Sequence, residues 1–134
     1  MIYRFEVPVE RIYSKARPRF SKGHAYSPKT NRLMEGWITN AFKQAYPNHT
    51  PITTALSLEI IAYFKLPTTT KKSEYNALIS TPCLKTPDAD NILKQIDALN
   101  GIAFEDDRLV YNATVKKLWG DTNKLIITME TLEE

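Results

Sequence analysis

Residues 56–64 read LSLEIIAYF, with an apolar side chain at every even-numbered position. A period of two is typical of a β-strand that buries one of its faces. The buried face would consist of Leu56, Leu58, Ile60, Ala62 and Phe64. We therefore predict a half-buried strand here, which needs other elements of the chain to cover it.

Three further stretches alternate in the same way, namely residues 2–9, 109–119 and 124–131. Each of them predicts a strand. The Gly120-Asp121 turn region between the last two strands predicts that they form a β-hairpin.

A first helix is predicted after Ser27-Pro28, which supplies an N-cap and a proline at the first helical position. Apolar residues then recur at helical spacing and stop before Pro47. The stripe consists of Leu33, Met34, Trp37, Ile38, Ala41, Phe42 and Ala45. We interpret it as part of the core, and it gives no indication of an organic cofactor.

A second helix is predicted to end at Leu99, with either Asp88 or Asp90 as its N-cap. Before it, residues 66–87 form a long Thr- and Pro-rich connection with at most a short helix near residues 73–80. The order β-α-β-α-β-β predicts an α+β fold with a mixed β-sheet and two main helices packed against it.

Composition indicates one soluble domain over residues 1–134, with 43% hydrophobic and 25% charged residues. No run of eighteen apolar residues is present, so we expect no membrane span. The N-terminal residues lack the apolar core of a secretory signal. The single cysteine, Cys83, excludes an intrachain disulfide and a cysteine-based zinc site, and it favours a cytoplasmic setting.

Positive charge is concentrated near the N-terminus, because residues 1–43 carry nine Lys and Arg against three acids. Residues 10–26 have the composition of a loop, and aromatic residues alternate with basic ones there. The pattern predicts a polyanion partner such as DNA, although a solvated basic loop is the alternative. The candidate DNA-binding residues are Lys15, Arg17, Arg19, Lys22 and Lys29.

Negative charge is concentrated in residues 85–107, where six carboxylates are accompanied by only two lysines. Two carboxylates held 4 Å apart repel by roughly 4 kcal/mol at an effective dielectric constant near 20. A fold that gathers them needs a cation or raised pKa values. All-oxygen ligands suit Mg²⁺ or Mn²⁺ rather than zinc, and the Asp-x-Asp-x-Asp-Gly loop of a calcium site is absent.

The predicted metal ligands are Asp88, Asp90 and Asp107, with Asp106 as a supporting or alternate ligand. Asp88 and Asp90 stand at the start of the second helix, and the loop of residues 100–108 can return the other two to that point. The alternative interpretation is that all four are helix caps or turn residues.

Two further charged residues share the face of the second helix that carries Asp90. Lys94 lies beside the predicted metal site, whereas Asp97 lies roughly 10 Å from Asp90 along the axis. We therefore expect Asp97 to pair with Lys94 or to support the site from outside. Bound Mg²⁺ and a lysine match phosphodiester hydrolysis, with Lys94 stabilising the pentavalent centre or the leaving oxygen.

These motifs resemble the signature of the RusA family, Holliday junction resolvases common in bacterial phages and prophages. The resemblance lies in PDADNILK at residues 87–94, in DALNG at 97–101, in DDRLV at 106–110 and in the basic arm KARPRF at 15–20. It implies a homodimer that binds four-way DNA junctions and cuts two strands symmetrically with Mg²⁺. It also implies that Asp88, Asp90, Asp107 and Lys94 are the catalytic residues. A less selective flap or fork nuclease, and a DNA-binding module without activity, are the alternatives.

Overall fold

The structure is a computed structural model and describes residues 1–15, 19–21, 23–26 and 28–132, with the backbone alone for 19–21 and 24–26. The strands are β1 (Ile2–Pro8), β2 (Arg19–Ser21), β3 (His24–Tyr26), β4 (Leu56–Lys65), β5 (Val110–Gly120) and β6 (Lys124–Thr131). The helices are α1 (Lys29–Ala45), α2 (Lys72–Leu78) and α3 (Ala89–Leu93), followed by 3₁₀ segments at Lys94–Leu99 and Asp107–Leu109. The predicted α+β fold is confirmed.

Strand β4 lies inside a four-stranded mixed sheet of order β1-β6-β4-β5. It pairs with β6 in antiparallel and with β5 in parallel orientation. All five predicted residues of its buried face are at most 5% exposed. The same face of the sheet contributes Phe5, Val7, Leu125, Ile127 and Met129 to a core that also contains Met34, Ile38 and Phe42 of α1.

The predicted hairpin of β5 and β6 is wrong, because β4 lies between these two strands. Residues 121–123 instead cross the end of β4, where the Leu66 N–H donates to the Gly120 carbonyl at 3.0 Å. Asn123 fixes the crossing, since its Oδ1 accepts from the Lys65 N–H at 2.8 Å and its Nδ2 donates to the Glu10 carbonyl at 3.0 Å. The physical reason is burial, because a position between β5 and β6 gives the apolar strand β4 a paired neighbour along each of its two edges.

Two details of the N-terminal third differ from the predictions. Residues 10–26 are not all loop, because β2 and β3 form a small antiparallel sheet around Gly23, whose φ of 78° suits a tight turn. Helix α1 begins one residue later than predicted, with Pro28 at the N-cap position and its carbonyl accepting from the Asn31 N–H at 3.0 Å. In the described residues, no helix has the length and apolarity needed to cross a bilayer.

Both edges of the sheet are partly covered. On β1, the Tyr46 hydroxyl receives a hydrogen bond from the Arg4 N–H at 2.8 Å and donates to the Arg4 carbonyl at 3.2 Å. On β5, residues 80–83 pair with the C-terminal part of the strand through Trp119 and Lys117, and buried Cys83 donates its N–H to the Lys117 carbonyl at 2.9 Å. The N-terminal half of β5 lies beyond this pairing.

We predict opposite effects for two Gly→Ala substitutions. At Gly120 a Cβ atom would lie 2.9 Å from the Tyr63 Cβ, so Gly120→Ala should destabilise the fold by about 1–3 kcal/mol. Gly36 lies inside α1, and a Cβ atom there would meet nothing within 4 Å beyond the backbone of its own helix, so Gly36→Ala should stabilise the protein by about 0.5–1 kcal/mol. Urea unfolding measures both, and equal effects would contradict the close packing at the strand crossing.

Candidate active site

The two acidic stretches line one pocket of about 390 Å³ between the second helical segment and the start of β5. The parallel pairing of β4 with β5 accounts for this meeting, because a parallel neighbour requires a crossover and α3 lies within it. The pocket is lined by Asp90, Leu93, Lys94, Ile96, Asp97, Asp107, Val110 and Ala113. Three carboxylates and one lysine therefore share a single concave surface.

Asp107 carries the strongest electrostatic signature of the pocket. Its pKa is raised above the ordinary 3.8, first because its protonated form can hydrogen-bond to Asp97, and then because partial burial disfavours its charge. Repulsion from Asp106 and Asp97 raises the pKa further, while a hydrogen bond from Asn100 lowers it in part. The pocket therefore holds more negative charge than its own groups neutralise, which is the electrostatic situation that a cation relieves.

Asp97 differs from the sequence prediction in its partner. The Lys15 Nζ lies 2.6 Å from the Asp97 Oδ2, so Asp97 pairs with the N-terminal segment rather than with Lys94. The helix also changes to 3₁₀ geometry at Lys94, so the α-helical spacing used for the prediction does not hold there. Asp97 consequently lines the same pocket as Asp90 and lies in contact with Asp107.

The other two predicted ligands, Asp88 and Asp106, do not line this pocket. Asp88 occupies the N-cap position of α3, but its side chain makes no capping hydrogen bond there, so capping does not account for this exposed carboxylate. Asp106 does behave as a cap, because its Oδ2 accepts from the Arg108 N–H at 3.2 Å and lies 3.5 Å from the Arg108 Nε. The turn interpretation therefore fits Asp106 better than Asp88.

The comparison with protein families matches residues 10–130 to the model described as Endodeoxyribonuclease RusA. This match covers most of the chain and includes every residue of the pocket. The chain belongs to the RusA endodeoxyribonuclease family. No curated protein matches the chain closely enough to be compared with it.

In this RusA-family chain, the start of the basic arm is bound to the helix that carries the acidic residues. Asn91 uses both ends of its side-chain amide, since Oδ1 accepts from the Lys15 N–H at 2.5 Å and Nδ2 donates to the Lys15 carbonyl at 3.4 Å. One turn later, the Nε2 of buried Gln95 donates to the Tyr13 carbonyl at 2.9 Å. We call these contacts, together with the Lys15–Asp97 ion pair, the arm anchor.

The candidate DNA-binding residues have different outcomes. Lys15 is engaged with Asp97 and belongs to the arm anchor, whereas Lys29 is exposed at the first position of α1. Arg17 and Lys22 lie outside the described residues, as does the side chain of Arg19. The ring of Tyr13 is stacked on Trp37 with ring centroids 6.2 Å apart, so it supports the fold near the arm anchor.

Sequence reasoning missed the roles of Asn91 and Gln95. Both lie within the acidic motif. Helical spacing assigns a side chain to the solvent or to the core, and it gives no indication that these two bind the N-terminal segment. The one available signal was Gln95, because an amide beside the apolar Ile96 and Ile92 needs a hydrogen-bond partner when it is buried. Its partner, a carbonyl 82 residues earlier in the chain, has no local sequence signal.

We predict that Asp107→Asn stabilises the metal-free protein in a pH-dependent manner. Because the pKa of Asp107 is higher in the folded than in the unfolded chain, its negative charge opposes folding at neutral pH, and protonation removes that cost as pH falls through the raised pKa. Asn is uncharged at every pH and can still donate a hydrogen bond to Asp97. The melting temperature in EDTA should therefore exceed that of the wild type at pH 7–8, with a smaller difference at acidic pH.

The matched control is Asp121→Asn in the exposed link between β5 and β6, which should show no such pH dependence. A stability gain for Asp107→Asn that stays constant from acidic to neutral pH would contradict the raised pKa.

Proposed function

We propose that this chain is a magnesium-dependent endonuclease that resolves four-way DNA junctions by paired, symmetric cleavage. The observation that carries the proposal is the shared pocket of Asp90, Asp107 and Lys94 in a chain whose family is described as endodeoxyribonucleases. Two stretches that are distant in sequence supply the carboxylates, and a lysine from the same helix supplies a positive charge beside them.

The donor set of the pocket fits magnesium. Among the described residues, no group of three His, Cys, Asp and Glu side chains is arranged to hold a metal ion alone. Magnesium does not require such a cage, because it commonly uses one or two carboxylates and completes its shell with water and substrate phosphate oxygens. Asp90 and Asp107 would hold it, with Asp88 at the adjacent helix start as a further carboxylate. Mn²⁺ should substitute, since it accepts the same ligands.

Each charged residue of the pocket has a defined part in this proposal. Bound magnesium supplies activation of the attacking water and neutralisation of charge in the in-line transition state. Asp97 contacts Asp107 and helps to position it, and Asp97 is itself held by Lys15. Lys94, whose side chain is exposed at the pocket, would donate to the phosphate or to the leaving oxygen.

The proposed substrate is branched DNA, and the proposed active form is a homodimer. One pocket cuts one strand, whereas a four-way junction with two-fold symmetry needs two related cuts, which a C2 dimer provides. The excess of positive charge in residues 1–43 supports DNA as the polyanion, because phosphate contacts from Lys and Arg dominate affinity for nucleic acids.

We predict that Asp90→Asn and Lys94→Ala each reduce junction cleavage by about 100-fold or more. Asp90→Asn removes a proposed metal ligand and a negative charge that faces the phosphate, so junction binding should persist or become tighter. The measurement is single-turnover cleavage of a labelled four-way junction with Mg²⁺ or EDTA, and Asp121→Asn is the control.

The alternatives give different results in the same assay. A DNA-binding module without activity would show no paired nicks from the wild type in either condition. A flap or fork nuclease would cut those substrates at least as fast as the junction. A loss of thermal stability without a loss of cleavage for Lys94→Ala would reduce Lys94 to a surface charge.

We predict that two arm variants separate phosphate contact from positioning. Arg17→Ala should weaken junction binding and flatten its salt dependence, because one fewer counterion is released. Asn91→Ala removes both side-chain contacts to the Lys15 backbone and should weaken binding while the salt dependence stays unchanged. Titrations by fluorescence anisotropy at several salt concentrations measure both, and a flatter slope for Asn91→Ala would contradict the positioning role.

A further inference from the structure

The acidic pocket is lined by as many apolar as charged residues. Leu93 and Ile96 come from the second helical segment, and Val110 and Ala113 come from β5; these four residues form what we call the apolar wall. Leu93 and Val110 are half-buried and Ala113 is exposed, so this surface is still accessible to solvent. Ile96 is buried in the core, and the accessible parts of the other three residues offer an apolar surface that phosphate and metal do not occupy.

A β-bulge shapes the apolar wall. Leu56 of β4 pairs with Val110 and Ser57 pairs with Asn112, so Tyr111 is an extra residue in β5. Because of this insertion, Val110 and Ala113 both face the pocket although they are three residues apart. The strict alternation predicted for residues 109–119 would put Tyr111 on the same face as Ala113 and Val110 on the opposite face, so that prediction is wrong at this point. Bulges commonly redirect a side chain next to an active site.

Tyr111 itself is 59% exposed, although it is a large aromatic residue, and it directly follows Val110 of the apolar wall in the chain. The edge pairing by residues 80–83 reaches only as far as Lys117, so in the described part of the chain this segment leaves the start of β5 accessible. An exposed ring one residue along the chain from an apolar wall is suited to contact a nucleobase, because every base offers a flat face for stacking.

We propose that the apolar wall and Tyr111 form a nucleotide subsite, which binds the base and deoxyribose of an unpaired nucleotide next to the scissile phosphate. This inference rests on the proposed function. A base inside a duplex is stacked and paired and cannot reach the wall, whereas a branch point provides nucleotides that unstack at low cost. The subsite would thus select branched DNA by the accessibility of its bases, in addition to the attraction of the arm for phosphates.

Two neighbouring residues of β5 provide a matched test. Ala113 faces the pocket and Thr114 faces the opposite side of the sheet, and both are exposed. Because of these positions, Ala113→Trp should fill the subsite and Thr114→Trp should not. Tryptophan is well tolerated in strands, so we expect the two variants to have similar melting temperatures. Junction cleavage with Mg²⁺ should fall roughly tenfold or more for Ala113→Trp and stay within about twofold of the wild type for Thr114→Trp.

A second readout does not depend on cleavage. A four-way junction with 2-aminopurine at the branch point should lose fluorescence when it binds the Asp90→Asn protein, because the base stacks on the subsite. Adding Tyr111→Ala should restore much of the fluorescence, whereas Tyr111→Phe should leave it quenched. If Ala113→Trp fails to fold, Ala113→Leu takes its place in both assays.

The outcomes separate the two proposals. If the wild type cleaves junctions and Ala113→Trp does so equally well, the subsite is refuted and the endonuclease proposal stands. If the wild type leaves junctions uncut but Tyr111 still controls the quenching, the subsite stands as a binding site and the proposed activity fails. Equal quenching by Tyr111→Ala and by the parent protein would refute the subsite in either case.

Discussion

The parallel pairing of β4 with β5 is the constraint on which the other features depend. Two parallel neighbours cannot be joined by a tight turn, so the chain must leave the sheet after β4 and return to its starting end. The return path contains α3, and it finishes at Asp107 immediately before β5. A backbone hydrogen-bonding pattern thus brings together carboxylates that are 17 positions apart in the case of Asp90 and Asp107.

Crowded carboxylates make the pocket electrostatically unfavourable, and the fold offsets only part of that cost. Lys15 neutralises Asp97 on one side, whereas Asp107 keeps a raised pKa. The same lysine begins the basic arm, and the backbone at Lys15 and Tyr13 is held by Asn91 and Gln95. Tyr13 and Lys15, at the start of the arm, are therefore in direct contact with the helical segment that carries the acidic residues.

Much of the fold could be predicted from the sequence, because burial imposes a visible period on β1, β4 and β6 and on α1. The position of β4 between β5 and β6 could not be predicted. Both of these strands carry the same period, and the contacts that fix the crossing involve Gly120 and Asn123. In the site, composition alone identified the two acidic stretches. The bulge at Tyr111 and the pairing of Asp97 with Lys15 depend on three-dimensional register, which has no local sequence signal.

The hydroxyl of Tyr46 occupies both hydrogen-bonding groups of Arg4 on the outer edge of β1. Exposed strand edges act as templates on which further chains can assemble into continuous sheets. A chain that added itself to β1 would have to displace this phenol and break two hydrogen bonds. Tyr46 consequently blocks the middle of the β1 edge against the addition of another strand.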